Sequence, residues 1–395
     1  MISGGRNKRS RAILVAIGVL FISACAGTAG LSGSSRMLLP PLQTETAEIS
    51  LQQASVLAKD VDLLAINAEM KDLAEQHTAN ARTGRQRLMM LHQSLRAGGA
   101  IDLDYNPDAN GSAAQTFASR SANCLSYASL FISLARHLGL NANYQTVSTR
   151  PQWNRVGERL TVAMHVNTTV SLRNGQRFEV DIAPLQRSRI VGTQVLSDSI
   201  AKAHYYNNIG MEYFFGGHND KAFINMARAL ELAPQLDYLW ANIGAVYRDN
   251  GQHDAAELSY QTALRINPDF STAMNNLVVL YLMEGKQSEA KFYSDQIERH
   301  RLRNPYYHYQ QAQIAENSGD YEQAIVHLRD AISRKNSDGE FYYLLSRIYF
   351  KTNRPEKSLQ NIKLAIDHST MLDQKKRYRD YLQHITGDSQ SDELI

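Results

Sequence analysis

The sequence is poor in cysteine and in uncompensated charge. Its 395 residues include only two cysteines, Cys25 and Cys124, so a scaffold held by several disulfide bonds is not expected. The net charge is +3, but four basic residues lie before position 25, and the rest of the chain carries −1. A basic surface for nucleic acid is therefore not expected either. The length predicts two or three domains, and 43% hydrophobic residues are enough for packed cores.

Several motifs of common enzyme classes are also missing. The sequence has no glycine-rich dinucleotide or phosphate loop, no zinc-ligand spacing and no serine-hydrolase elbow. The segment from Asp104 to Gly111 alternates acidic and amide residues like a calcium loop, but Phe117 stands where such a loop needs glutamate. We therefore interpret the segment as a turn, and we expect neither a cofactor nor a metal.

The N-terminus has the features of a processing signal. A basic stretch that ends at Arg11 precedes an apolar run over residues 12–22, which is too short to span a bilayer but suits the core of a signal peptide. The sequence Ile22-Ser23-Ala24-Cys25 resembles the lipobox of bacterial lipoproteins. The resemblance implies cleavage before Cys25 and a lipid such as palmitate on that cysteine. Ala26 after the cysteine resembles the pattern of lipoproteins on the periplasmic face of the outer membrane.

Two N-terminal segments follow from this interpretation. Residues 1–24 are expected to be a lipoprotein signal peptide, and residues 25–48, which are rich in glycine, serine and proline, a flexible tether. The protein would then be anchored to the membrane and would not span it. The alternative is an ordinary N-terminal anchor in which Cys25 is incidental.

The C-terminal half repeats with a period of 34 residues. Large residues recur at Tyr206, Trp240 and Met274, and small residues recur in the second half of each unit, as at Ala222 and Ala256. Five units over residues 203–372 resemble the tetratricopeptide repeat, which implies an all-α solenoid that binds a protein partner on its concave face. Residues 373–395 are expected to form a capping helix and tail. The following residues are expected on the concave face, as a ligand groove or as solvated scaffold: Asn207, Met211, Arg248, Asn275, Tyr309, Tyr343 and Arg347.

The middle segment, residues 49–199, combines helical and strand patterns. Asn123 precedes a stretch of helical periodicity that ends at Gly139, so Asn123 is expected to cap a helix whose first residue is Cys124. The unpaired N–H groups and the positive end of that helix favour a thiolate. The alternative is a small buried cysteine on a core helix.

Two alternating segments, residues 160–172 and 177–183, predict a β-hairpin. A symmetric two-residue turn would pair apolar with polar positions. A three-residue loop with Gly175 in the left-handed conformation sets Phe178 opposite Val170, and the apolar faces of the two strands then agree. The hydrophobic pattern therefore predicts the longer loop.

This register brings a carboxylate close to a histidine. Asp181 is then opposite Asn167 and diagonal to His165 on the same face, and diagonal neighbours lie about 7–8 Å apart at the backbone. A thiolate at a helix start, an imidazole on a strand and a carboxylate on the next strand can form a nucleophilic triad of Cys124, His165 and Asp181. The alternative for the histidine is a purely structural role.

Three segments within residues 80–185 resemble the transglutaminase-like superfamily, namely Asn123 to Ala142, Met164-His165-Val166 and Glu179-Val180-Asp181. The resemblance implies an α+β papain-like domain in which Cys124 is the nucleophile, His165 the base and Asp181 the residue that orients the imidazole. It also implies a peptide or protein amide as substrate. The backbone N–H of Cys124 is the expected oxyanion donor, and Trp153 and Gln115 are further candidates.

Several function hypotheses remain open. The first is an envelope lipoprotein whose cysteine acyl transferase or hydrolase domain acts on a peptide or protein amide, with the repeats docking a partner or the substrate. The second is a non-catalytic repeat scaffold for assembly, in which the triad is a relic. A third is a papain-like processing peptidase of the bacteriocin-leader type, which usually has glycine after its cysteine, whereas Leu125 follows here.

Overall fold

The computed structural model describes residues 39–44, 47–149, 165–185, 190–369 and 372–387. The predicted signal peptide, Cys25 and Trp153 lie outside these ranges. Within them the chain forms an α+β domain followed by a helical solenoid, which confirms the fold class expected from the sequence.

The α+β domain consists of helices around a four-stranded sheet, with a separate two-stranded pair. A short N-terminal hairpin precedes it along the chain. In chain order the elements of both are β1 (Leu42–Gln43), β2 (Glu48–Ile49), α1 (Leu51–Leu57), α2 (Ala68–Thr78), α3 (Gly84–Leu95), β3 (Asp104–Tyr105), α4 (Ala113–Ser119), β4 (Ser121–Ala122), α5 (Cys124–His137), β5 (Asn141–Thr149), β6 (His165–Ser171), β7 (Arg177–Val180) and β8 (Ile190–Val195).

Helix α5 is the central helix of the domain. Its predicted cap is confirmed, because the Asn123 side chain accepts a hydrogen bond from the backbone N–H of Ser126. All residues from Leu125 to Ala135 are buried, as expected for a helix covered on every side. The helix ends where Gly139 adopts a φ of +77°, a conformation that glycine reaches at no steric cost.

The sheet has the strand order β7-β6-β5-β8, and all neighbouring strands are antiparallel. The predicted hairpin register is confirmed: Val170 is opposite Phe178, Thr168 is opposite Val180, and Gly175 in the loop has a φ of +81°. Strand β7 ends at Val180, earlier than the predicted position 183, because the chain turns after that residue.

The solenoid contains five helix pairs and a final helix within the described residues. Its helices are α6 (Asp198–Phe215), α7 (Asn219–Leu232), α8 (Asp237–Asp249), α9 (His253–Ile266), α10 (Ser271–Met283), α11 (Gln287–Arg303), α12 (Pro305–Asn317), α13 (Tyr321–Arg334), α14 (Gly339–Lys351), α15 (Pro355–Asp367) and α16 (Leu372–Thr386). In the turn inside each pair, one residue has a positive φ. These residues are 34 positions apart: Gly217, Gly251, Gly285, Gly319 and Asn353. No helix in the described ranges has the length and apolar character needed to cross a bilayer.

The two domains share a continuous apolar core. At their junction, the guanidinium of Arg136 at the end of α5 donates to both carboxylate oxygens of Asp198 on α6, at 2.6 and 3.0 Å. Nearby, the Tyr206 hydroxyl donates to the carbonyl of Lys59 at 2.8 Å and accepts from the N–H of Val61 at 3.1 Å. The position of the α+β domain on the first repeat is therefore fixed by both apolar and polar contacts.

The described end of the predicted tether is docked on the second repeat, which corrects the expectation of a flexible segment there. The Tyr247 hydroxyl donates to the carbonyl of Pro40 at 2.6 Å, and the Gln252 side chain donates to the carbonyl of Pro41 at 2.9 Å. Leu42, the residue after Pro41, is fully buried. The buried apolar side chain and the carbonyls bound by the repeat hold this part of the segment against the solenoid.

Candidate active site

Cys124 is the first residue of α5, and its side chain is partly exposed. The loop before it is fastened to the start of the helix. The N–H of Asn123 donates to the carbonyl of Ala109 at 3.2 Å, and the Asn123 side-chain amide donates to Asn110 at 2.8 Å. These bonds hold the sulfur at the helix terminus, where the positive end of the helix favours a negative charge.

The structure brings together the three predicted triad residues. The Sγ atom of Cys124 lies 3.3 Å from Nδ1 of His165, the first residue of β6. The opposite ring nitrogen, Nε2, is hydrogen-bonded to Oδ2 of Asp181. The second carboxylate oxygen accepts from the N–H of Ala183 at 3.0 Å. The side chains of His165 and Asp181 are only 10% and 9% exposed, so the carboxylate has a fixed orientation in a largely dry environment.

The charges of the site favour a protonated imidazole. Burial of His165 disfavours the charged ring, but the hydrogen bonds to Asp181 and Cys124, together with the negative charges of both residues, more than offset this effect and raise the pKa of His165 to about 10. The raised pKa favours the ring that carries a proton on each nitrogen. One proton faces the carboxylate and the other faces the sulfur.

Tyr105 is not among the site residues predicted from the sequence, but its hydroxyl lies 3.8 Å from Sγ of Cys124. Tyr105 belongs to β3, which pairs in parallel with β4 directly before Cys124. The predicted turn over residues 104–111 thus begins with a strand that carries a side chain into the site. No periodicity marks a strand of two residues, so the only sequence signal was an aromatic residue next to the turn.

The other predicted oxyanion candidates are placed differently. Gln115 caps α4, where its side-chain oxygen accepts from the N–H of Ser112 at 2.9 Å, and the residue is exposed. Trp153 lies outside the described residues. A second histidine of the domain, His92, is bonded to the Tyr127 hydroxyl at 2.8 Å, and burial lowers its pKa to about 4. Within the described ranges, no three histidine, cysteine or acidic side chains gather as metal ligands.

Comparison with protein families agrees with this architecture. Residues 71–182 match the family model of the transglutaminase-like superfamily. Residues 203–236, 238–270 and 309–367 match models of the tetratricopeptide repeat. The chain therefore combines a transglutaminase-like domain with tetratricopeptide repeats. A search of the curated proteins returns no match.

Several solved structures are similar to this chain over less than half of its length. MamA from Desulfovibrio magneticus RS-1 is 12% identical, with 47% of this chain and 98% of that chain covered and a TM-score of 0.25. A thermophilic TPR protein from Thermus thermophilus is 20% identical, with coverage of 46% and 98% and a TM-score of 0.23. The pilF protein of Pseudomonas aeruginosa is 14% identical, with coverage of 49% and 96% and a TM-score of 0.26.

Proposed function

We propose that the protein is an envelope lipoprotein whose transglutaminase-like domain uses Cys124 to take an acyl group from a peptide or protein amide. The observation that carries this proposal is the alignment of sulfur, imidazole and carboxylate: Sγ is 3.3 Å from Nδ1 of His165, and Asp181 binds the opposite nitrogen. A structural cysteine needs no such partners, whereas a nucleophile needs a base within hydrogen-bonding distance and a group that orients the base.

The first half of the reaction forms a thioester. The Cys124 thiolate attacks the amide carbonyl carbon, a C–S bond forms, and an electron pair of the C=O bond moves to the oxygen. His165 then donates its Nδ1 proton to the leaving nitrogen, the C–N bond breaks, and an amine departs. Asp181 remains an anion throughout, because its role is to hold the Nε2 proton and to stabilise the imidazolium.

The second half regenerates the enzyme. His165, now neutral at Nδ1, accepts a proton from water or from a second amine as that nucleophile attacks the thioester carbon. The C–S bond breaks and Cys124 leaves as a thiolate. Water gives hydrolysis and an amine gives a new amide, so one site accounts for both a hydrolase and an acyl transferase.

The location and the partner complete the proposal. The lipobox-like sequence at Cys25 supports lipid attachment in the bacterial envelope, on the periplasmic face of the outer membrane. The repeats support docking of the protein substrate or of a protein partner, since stacked helix pairs present an extended surface.

The proposal is tested on the full chain, extracted from membranes with detergent. A fluorescent iodoacetamide is expected to label Cys124, and p-nitrophenyl acetate is expected to acylate it. Cys124→Ala is expected to abolish both reactions at this position, which peptide mass spectrometry detects. His165→Ala is expected to slow the acylation by about 10³-fold or more.

A second histidine provides the matched control. His137 lies at the end of α5 in the same domain and, like His165, is bonded to a carboxylate, with Nε2 lying 2.8 Å from Glu75, but it does not contact the cysteine. His137→Ala is expected to react at the wild-type rate. Equal acylation rates in wild type, His165→Ala and His137→Ala would refute the proposed chemistry and would support the non-catalytic scaffold.

A further inference from the structure

Tyr105 is held beside the nucleophile by the backbone on both sides of it. The N–H of Asp104 donates to the carbonyl of Arg120, and the N–H of Asn106 donates to the carbonyl of Ala122, both at 3.0 Å. These bonds, to the residue before β4 and to its last residue, join β3 to β4, which directly precedes Asn123 and Cys124. The backbone of Tyr105 is therefore fixed relative to the start of α5, which carries the sulfur.

We propose that the Tyr105 hydroxyl is the side-chain donor of the oxyanion hole and acts together with the backbone N–H of Cys124. This inference rests on the proposed thioester chemistry. The oxyanion forms on the carbon that bonds to Sγ, and a donor must come within about 2.7–3.1 Å of that oxygen. A hydroxyl 3.8 Å from Sγ is close enough to reach an oxygen two bonds away from the sulfur.

The distance also favours a role in the transition state over a role in the resting enzyme. At 3.8 Å, the hydroxyl makes only a long contact with the sulfur. Its hydrogen is thus not committed to a strong bond before substrate arrives. An interaction that strengthens only when charge develops on the substrate oxygen accelerates the reaction, whereas one that is equally strong in the resting state does not.

The surroundings of the phenol fit a donor. Burial and the neighbouring Cys124 raise the pKa of Tyr105 to about 12, so the O–H group keeps its proton at physiological pH and cannot act as a base. The residue is nevertheless 43% exposed, which leaves its hydroxyl accessible to a bound carbonyl. The other expected side-chain candidate in the described residues, Gln115, is used in the cap of α4.

Two reactions of the Cys124 sulfur distinguish a donor to the oxyanion from a residue that changes the reactivity of the thiolate itself. Acylation by p-nitrophenyl acetate passes through a tetrahedral oxyanion, in which the C–S bond has formed and the carbonyl electron pair is on oxygen, before p-nitrophenolate leaves. Alkylation by iodoacetamide displaces iodide from a saturated carbon and forms no oxyanion. A donor to the oxyanion therefore affects the first reaction and not the second.

The experiment compares wild type, Tyr105→Phe and Tyr213→Phe in the full chain. Tyr213 lies on α6, outside the site, so Tyr213→Phe is the control that also removes one phenol oxygen. Tyr105→Phe is expected to slow acylation of Cys124 by about 10²–10³-fold, the usual effect of removing one oxyanion donor. Its alkylation rate is expected to stay within twofold of wild type, which also shows that the fold and the thiolate are intact. Tyr213→Phe is expected to leave both rates unchanged.

The other outcomes overturn the inference in distinguishable ways. Unchanged acylation in Tyr105→Phe, with a wild type that is acylated at Cys124, would overturn the role of Tyr105 and leave the proposed function in place. A parallel fall of acylation and alkylation would show that Tyr105 acts on the thiolate or on the fold, and would also overturn the inference. A wild type that is alkylated but never acylated would overturn both the inference and the proposed function.

Discussion

Asp181→Asn is expected to lower the pKa of His165. As a result, the free energy of unfolding is expected to change less with pH than in the wild type. The substitution preserves the shape of the side chain but removes its negative charge. Burial of His165 already acts against the protonated ring, and without the carboxylate only the Cys124 contact opposes that effect. The variant ring is therefore expected to lose its proton at a much lower pH than the wild-type ring.

The size of the effect follows from the pKa of the folded protein. The difference between about 10 and the ordinary 6.5 corresponds to about 5 kcal/mol of preference for the protonated ring. This stabilisation is fully present below pH 6.5, and it is lost as the pH rises from 6.5 through about 10. One close opposite charge contributes roughly 1–3 in pKa, so Asp181→Asn is expected to remove roughly 1.5–4 kcal/mol of that pH-dependent stability.

Two measurements check this prediction. Histidine NMR of the selectively ¹⁵N-labelled protein gives the pKa of His165 directly, and urea denaturation at pH 6.5 and pH 10 gives the change in the free energy of unfolding. Asp72→Asn, at an exposed position on α2, is the control and is expected to behave like wild type. A wild-type His165 that titrates at or below 6.5, or equal His165 pKa values in wild type and Asp181→Asn, would refute the electrostatic account of the site.

Three further predictions concern packing, acid stability and the docked N-terminal segment. Gly244→Ala is expected to destabilise the fold by about 1–3 kcal/mol, because the new Cβ would lie 2.6 Å from a ring carbon of the fully buried Tyr260. Gly192→Ala, with open space around the new Cβ, is the control. Equal midpoints of urea denaturation for the two variants would contradict this prediction. Burial lowers the pKa of His204 to about 4, so its protonation is expected to lower the free energy of unfolding by roughly 3 kcal/mol as the pH drops from 6.5 to 4. Acid denaturation of His204→Gln is the comparison, because this variant is expected to lack that loss. Tyr247→Phe removes the hydroxyl that holds the segment before β1 and is expected to speed its proteolysis; unchanged cleavage kinetics would show that the hydroxyl does not hold it.

The features that the sequence predicted depend on local patterns or on a strict repeat. Gly175 and the apolar alternation on either side of it were sufficient for the hairpin register, because a shift of one residue would have buried polar positions and exposed apolar ones. Asn123 was recognised as a cap because only a few residue types satisfy the free N–H groups of a helix start. The helix pairs followed from the 34-residue period.

The features that the sequence did not predict depend on contacts between distant segments. Strand β5 has no clean alternation, because Gln145 is buried and its amide donates to Asn167 of the adjacent strand at 3.3 Å and to Glu179 at 3.4 Å. Tyr105 reaches the sulfur only through the parallel pairing of β3 and β4, which neither segment indicates by itself. The docking of Pro40 depends on side chains more than 200 positions away.

If Cys25 carries a lipid as proposed, the docked N-terminal segment limits the distance between the solenoid and the bilayer. Fourteen peptide units separate Cys25 from Leu39, where the chain meets the second repeat, and a fully stretched chain of that length spans at most about 50 Å. With a lipid on Cys25, the solenoid would thus be tethered by a short segment that is attached at its second repeat, and not at one end. Its reach would then be confined to targets close to the lipid surface, and extra residues inserted before Leu39 would widen that zone.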